Sequence, residues 1–208
     1  MKSLINRHAG AEFMVIGAGS TVKHFQNGIA RVIEEKKLIT IGINNITGCF
    51  VPYYHLWTNN GRLKEFLPNI NHKSRILLGN SIRETLTGKV GKYEEIKYAD
   101  APLQRYKYDP KQQNVRGHFR TAGNLAIYLS WLMGASMVYC VGFDGYGLKY
   151  GGSQHCYGEG MTDGDDVEYQ LEKDSIVQGI LDRLSGEGVD FSIMTPTVFK
   201  NHYSGYFA

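Results

Sequence analysis

Glu12-Phe13-Met14-Val15-Ile16-Gly17-Ala18-Gly19-Ser20-Thr21-Val22 is the stretch on which the fold turns. A short apolar run stops at a glycine turn, and beyond it Val22, Phe25, Ile29, Val32 and Ile33 recur at helical spacing. Strand, tight loop and helix in that order make the opening unit of a parallel sheet. Working outward, Leu38-Ile39-Thr40-Ile41, Tyr53-Tyr54-His55-Leu56-Trp57-Thr58 and Arg75-Ile76-Leu77-Leu78 read as the next three strands. Helical spacing returns with Leu125, Tyr128, Leu129 and Leu132, which ends at Gly134, and Met137-Val138-Tyr139-Cys140-Val141 follows as a buried strand. A glycine-rich loop from Gly145 to about Gly164 leads to a helix carrying Val167, Leu171, Val177, Ile180, Leu181 and Leu184. The last strand is Asp190-Phe191-Ser192-Ile193-Met194. The expectation is an α/β fold, a Rossmann-like and mostly parallel sheet with helices on both faces. The segment 89–119, rich in Tyr, Lys, Gln and Arg, breaks the pattern and reads as an excursion or lid.

Composition narrows the function classes. At 208 residues with 42% hydrophobic content, the chain can form one substantial core, so a single domain over 1–208 is expected. A formal charge of +3 tolerates an anionic ligand without demanding nucleic acid. The first eight residues have no apolar stretch, and no run approaches the roughly 18 apolar residues of a membrane span. A cytoplasmic protein is expected. Cys49, Cys140 and Cys156 are odd in number and share no CxxC spacing, so they read as reduced thiols.

In an open parallel sheet, ligands bind beyond the carboxyl ends of the strands. The sequence places there Gly17 to Thr21, Asn44 with Asn45, Asn59 with Asn60, Asp144, and Thr195 to Thr197. Gly17 and Gly19 can present backbone N–H groups to a phosphate, with Ser20 or Thr21 capping the helix or adding a hydroxyl. The same glycines can also do no more than turn the chain. Val22 replaces the third glycine of the dinucleotide fingerprint, and Asn44 and Asn45 stand where an acid would hold a ribose, which disfavours NAD and a methyl donor. Thr121 is a natural N-cap, Gly123 allows close backbone approach, and Arg120 can pair with an anion; a capped helix with a solvated arginine is the plainer alternative. Tyr146, Tyr150 and His155 lie among the glycines of a loop that can fold over a ligand, where tyrosines can donate to a leaving phosphate and histidine can take a proton. Asp163, Asp165 and Asp166 complement the dipole of the following helix and give no metal site. The basic, tyrosine-rich segment up to Arg120 can contact phosphates and stack on bases, or serve only as a solvated lid.

The run Val15 to Lys23, an asparagine after each of the second and third strands, Arg120-Thr121-Ala122-Gly123 through to Gly142-Phe143-Asp144, then His155 and Thr195-Pro196-Thr197, resembles the bacterial sialyltransferases that modify surface oligosaccharides. It is also similar to a related Rossmann-like group that includes the archaeal hydroxymethylpterin pyrophosphokinases. Ala18 and Ser20 depart from the sialyltransferase pattern. The resemblance implies a nucleotide-sugar donor, a pyrimidine nucleotide favoured, held by the first turn, Asn44 and Asn59. It implies that Tyr146 and Tyr150 steady the departing phosphate, that His155 is the general base, and that no cofactor or metal is required. The acceptor would be a glycan hydroxyl or a hydroxymethylated DNA base. Two rivals stand beside this: magnesium-dependent pyrophosphoryl transfer to a pterin-like alcohol, with Asp144 and Asp163 to Asp166 holding the metal, and a non-catalytic nucleotide-binding module.

Overall fold

Side chains alternate across the first strand, and that alternation organises the molecule. The computed structural model describes residues 1–101, 105–149, 153–158 and 166–208. In β1 (Glu12–Ile16), Phe13 and Val15 enter one apolar cluster while Met14 and Ile16 enter another, all fully buried. A strand buried on both faces is what a parallel sheet covered by helices demands. On one flank β2 (Ile39–Ile43), β3 (Tyr54–Trp57), β4 (Arg75–Gly79) and β5 (Glu94–Asp100) add in parallel. The antiparallel pair β6 (Lys107–Asp109) and β7 (Asn114–Gly117) closes that flank, β7 lying parallel to β5. The chain then crosses back to place β8 (Met137–Val141) and β9 (Phe191–Ile193) on the other side of β1. The nine-stranded order is β6-β7-β5-β4-β3-β2-β1-β8-β9, a Rossmann-like sheet with helices on both faces.

Helices α1 (Thr21–His24), α2 (Gln26–Lys36), α3 (Asn60–Phe66) and α4 (Glu84–Val90) cover the face carrying Met14, Ile16, Trp57, Ile76 and Leu78. The opposite face takes α5 (Ala122–Leu132), which lies on β1, β2, β3 and β8 with α6 (Val167–Gly186) against it. Burial runs from Ala122 through Ser130 in α5, so leucines such as Leu125 and Leu129 each contribute about 1.5–3 kcal/mol of apolar burial. Among the described residues no helix is long and apolar enough to cross a membrane.

The sequence pattern and the structure differ in three places. The first helix is two, α1 and α2, separated at Phe25, whose non-helical φ and ψ of −98° and 17° interrupt the run. Helices α3 and α4 are seven residues each, too short for a periodic stripe to show. The segment 89–119, expected as an excursion or lid, instead extends the sheet through β5, β6 and β7. In β5 only Ile96 is fully buried, and its charged neighbours belong to a thin flank of the sheet with one covered face, which conceals the strand signal.

Candidate functional site

Strand order reverses between β1 and β8, and the carboxyl ends of these two strands lie side by side. The Gly17 N–H donates to the Val141 carbonyl at 2.8 Å and the Gly19 N–H to that of Gly142 at 3.1 Å. So close an approach requires glycine on both strands: a β-carbon on Gly17 would overlap the Gly142 carbonyl, and Gly142 itself has φ +72°.

Asp144 sits inside the first turn. Its carboxylate accepts from the Thr21 N–H at 2.9 Å, from the Ser20 hydroxyl at 3.3 Å and from the Thr21 hydroxyl. A β-carbon on Gly19 would lie 2.5 Å from the Asp144 carboxyl carbon, so Gly19 makes room for this side chain. Burial pushes the Asp144 carboxyl up to about 6, and the hydrogen bonds from Thr21 and Ser20 oppose the rise. The turn expected to greet a phosphate therefore already holds an anion supplied by the protein.

The loop carrying His155 is fastened to the same turn. Gly19 and His155 form an antiparallel bridge, and the Cys156 N–H donates to the Ala18 carbonyl at 2.9 Å. The His155 ring stacks on Tyr157, with centroids 4.9 Å apart. Arg62, buried in α3, donates to the Tyr157 hydroxyl and reaches His155 Nε2 at 3.4 Å. A guanidinium has no acceptor, so Nε2 is the unprotonated nitrogen in this contact.

Two adjoining chambers open at these strand tips. One, about 160 Å³, is floored by Gly17, Gly19, Gly142 and Gly123 and walled by Ile43, Phe143, Phe199, Tyr157 and His155. The other, about 320 Å³, is lined by Asn59, Thr58, Tyr98, Tyr169, Arg120 and Lys173. Asn44, Arg62, Thr121, Ala122, Tyr146 and Val177 belong to both. No Asp or Glu among the described residues lines the second chamber. Lys173 projects from α6 with its ammonium 4.5 Å over the Tyr146 ring and 4.3 Å over the Tyr169 ring.

The structure brings several of the expected site residues together. Gly17, Gly19, Asn44, Thr121, Gly123, Asp144, Tyr146 and His155 line the glycine-floored chamber, and Asn59 and Arg120 line its neighbour. Thr121 also caps α5, accepting from the Asn124 N–H at 3.2 Å, and Asn59 caps α3 through the Arg62 N–H at 2.9 Å. Arg120 and Asn44 both adopt left-handed backbone, φ +54° and +51°. The Asn44 carbonyl is gripped by His55 Nε2 at 2.5 Å; burial lowers the His55 imidazole to about 4 and keeps it neutral.

Three others go elsewhere. Ser20 and Thr21 line neither chamber and turn their hydroxyls to Asp144 instead of a ligand. Thr195 is fully buried and accepts from the Gly142 N–H at 3.0 Å, bracing the end of β8. Tyr150, Asp163 and Asp165 lie outside the described residues, and Asp166 caps α6 through the Tyr169 N–H at 3.1 Å. The sequence reading passed over Arg62, Tyr157 and Lys173. Arg62 had one available signal, its place three residues after the Asn59 cap at a strand tip. No protein-family model matches the chain, and no curated protein matches it.

Proposed function

We propose that this chain is an inverting glycosyltransferase that moves a sugar from a nucleotide-sugar donor to an acceptor hydroxyl. The observation that carries the reading is the pairing of the two chambers across the wall formed by Arg62, Thr121 and Tyr146: a glycine-floored one holding His155 beside a cationic one suited to phosphate. In this scheme the donor's phosphate lies on the cationic side and the anomeric carbon at the shared wall. The acceptor oxygen attacks that carbon, the bond from carbon to phosphate oxygen breaks with its electron pair leaving on the phosphate, and the acceptor proton passes to His155. Tyr146 steadies the leaving group, helped by Lys173 above its ring. Its backbone is held at the N–H by Asp174 at 2.8 Å and at the carbonyl by the Gln154 amide at 3.1 Å, so the ring enters the reaction already placed.

The reading is tested by nucleotide-induced thermal stabilisation and a transfer assay. At least one of CMP, UDP, GDP and ADP should raise the melting temperature of the chain without magnesium, because a ligand of the native state stabilises it. His155→Ala should keep that response while turnover falls by about 10² to 10⁴. Full turnover in His155→Ala would remove the base, and no stabilisation by any nucleotide would remove the donor class. An absolute need for a divalent cation would move the assignment to pyrophosphoryl transfer.

A further inference from the structure

We infer that Cys49 and Cys156 form a reversible thiol–disulfide site, in which a hydroperoxide oxidises Cys49 and Cys156 then closes the bond. The inference is independent of the transfer chemistry and goes beyond it.

The two cysteines are 107 residues apart in the chain, and the fold brings them together. Cys49 ends the turn after β2, where its N–H donates to the Ile46 carbonyl at 2.8 Å and its own carbonyl accepts from the Gln26 side chain at 2.7 Å. Cys156 lies in the loop of His155, fastened by its N–H to the Ala18 carbonyl. The Cys49 thiol reaches the Cys156 carbonyl at 3.8 Å, and the two thiols are hydrogen-bonded to each other. Both pack in the cluster of Met14, Ile16 and Val22. Bonded sulfurs lie about 2.05 Å apart, so closure needs a side-chain rotation and a small shift of the chain. Both cysteines stand in turns outside the strands and helices, where such a shift breaks no ladder.

The two sulfurs are not equivalent. Cys49 is partly exposed, whereas Cys156 is 2% exposed. The hydrogen bond from Cys156 holds the Cys49 thiol below its usual range; burial opposes this and the Lys23 ammonium assists it. The same hydrogen bond and burial push the Cys156 thiol up. A thiolate is the nucleophile toward a peroxide, so the partly exposed Cys49 reacts first and Cys156 resolves. Cys140 is fully buried in β8, its thiol pushed up by burial, and serves as an inert internal control.

The Cys49 thiolate attacks one peroxide oxygen. The O–O bond breaks with its electron pair on the other oxygen, which takes up the proton Cys49 had released and departs as water or an alcohol. Cys49 is then a sulfenic acid. The Cys156 sulfur attacks the Cys49 sulfur, the S–O bond breaks, and hydroxide leaves with the Cys156 proton as water. The two thiols have lost two electrons and two protons, and the peroxide has taken them. The bond ties the loop of His155 to the turn that follows Asn44, and both of those residues line the glycine-floored chamber.

The test is exposure of the full chain to a small excess of hydrogen peroxide, followed by mass measurement, thiol alkylation and peptide mapping. The intact mass should fall by two hydrogens, one of the three thiols should remain for alkylation after denaturation, and the Cys49 and Cys156 peptides should be linked. Dithiothreitol should reverse all three changes. The cross-link should raise the melting temperature by about 5 °C or more, since it closes a long loop. Cys49→Ser should show neither the link nor the rise, and Cys156→Ser should stop at a Cys49 sulfenic acid that dimedone traps. Should Cys156→Ser not fold, the peptide map of wild type and the Cys49→Ser variant decide the matter. Three free thiols after peroxide, a link that includes Cys140 or joins two chains, or irreversible oxidation of Cys49 without a link would each overturn the proposal. A linked chain whose melting temperature stays put or falls would overturn the claim that the bond braces the His155 loop.

Discussion

The two ends of the sheet handle charge in opposite ways. At the amino ends of the strands, acids meet cations. Arg7 is paired in bidentate fashion with Glu94 at 3.0 Å while donating to the Tyr54 hydroxyl at 3.2 Å, and Lys36 reaches Glu12 at 3.4 Å. At the carboxyl ends, acids meet backbone amides: Asp144 holds the first turn, Asp174 the Tyr146 loop and Asp100 the approach to Arg120. The difference is instructive because both arrangements satisfy the carboxylates. At the carboxyl end Arg62, Arg120 and Lys173 line a cavity whose loops Asp174 and Asp100 fasten at the backbone. An ion pair steadies a fold, whereas a clamped loop beside a cationic wall prepares a place for a ligand.

The sharpest way to break the comparison is to remove one side chain at each end. His155→Ala, at the carboxyl end, should take about 10² to 10⁴ from turnover with little change in melting temperature. Arg7→Met should do the reverse. Its side chain is about one-fifth exposed, so losing the bidentate pair should cost about 1 kcal/mol of stability by denaturant titration, with nucleotide affinity unchanged. Loss of activity in Arg7→Met at a temperature where it is folded would show that the two ends are coupled, and the division of labour would fail.

Much of this was visible in the residues. Apolar runs ending in glycine or asparagine marked β1 to β4, β8 and β9, because strands buried on both faces advertise themselves as continuous hydrophobic stretches. The residues after those runs supplied the glycine floor, Asn44, Asn59 and Asp144. Side-chain hydroxyls were less legible. Ser20 and Thr21 stand where a ligand's donors would stand, but Asp144 captures them from 123 and 124 residues away, and nothing local announces that partner. The polar strands β5 to β7 on that flank of the sheet were lost because one covered face leaves too few apolar positions to count. Lys173 was hidden in a helix where a lysine is ordinarily a solvated residue. Its meaning depends on Tyr146, which reaches it only through the fold.

The smallest effect distinguishes the two ends by the sign of their response to pH. Burial raises Asp144 to about 6, above its ordinary 3.8, so the folded chain binds that proton more tightly than the unfolded chain. Its contribution to stability is fully present below the unfolded value and is lost as pH rises through 6. Going from pH 7.5 to pH 5, wild type should therefore gain about 1 kcal/mol relative to Asp144→Asn, which has no such proton to bind. Glu94 shifts the other way, because the Arg7 guanidinium bonded to it holds its carboxyl below the usual range. Its contribution is present above the ordinary glutamate value and fades only as pH falls below it, so wild type should gain nothing over Glu94→Gln across the same interval and should lose ground below it. Melting curves of the three proteins at pH 7.5, 5 and 3.5 separate these signs. A flat difference between wild type and Asp144→Asn from pH 7.5 to 5 would mean that the hydrogen bonds from Thr21 and Ser20 fully offset the burial of Asp144 and keep it an anion across the interval.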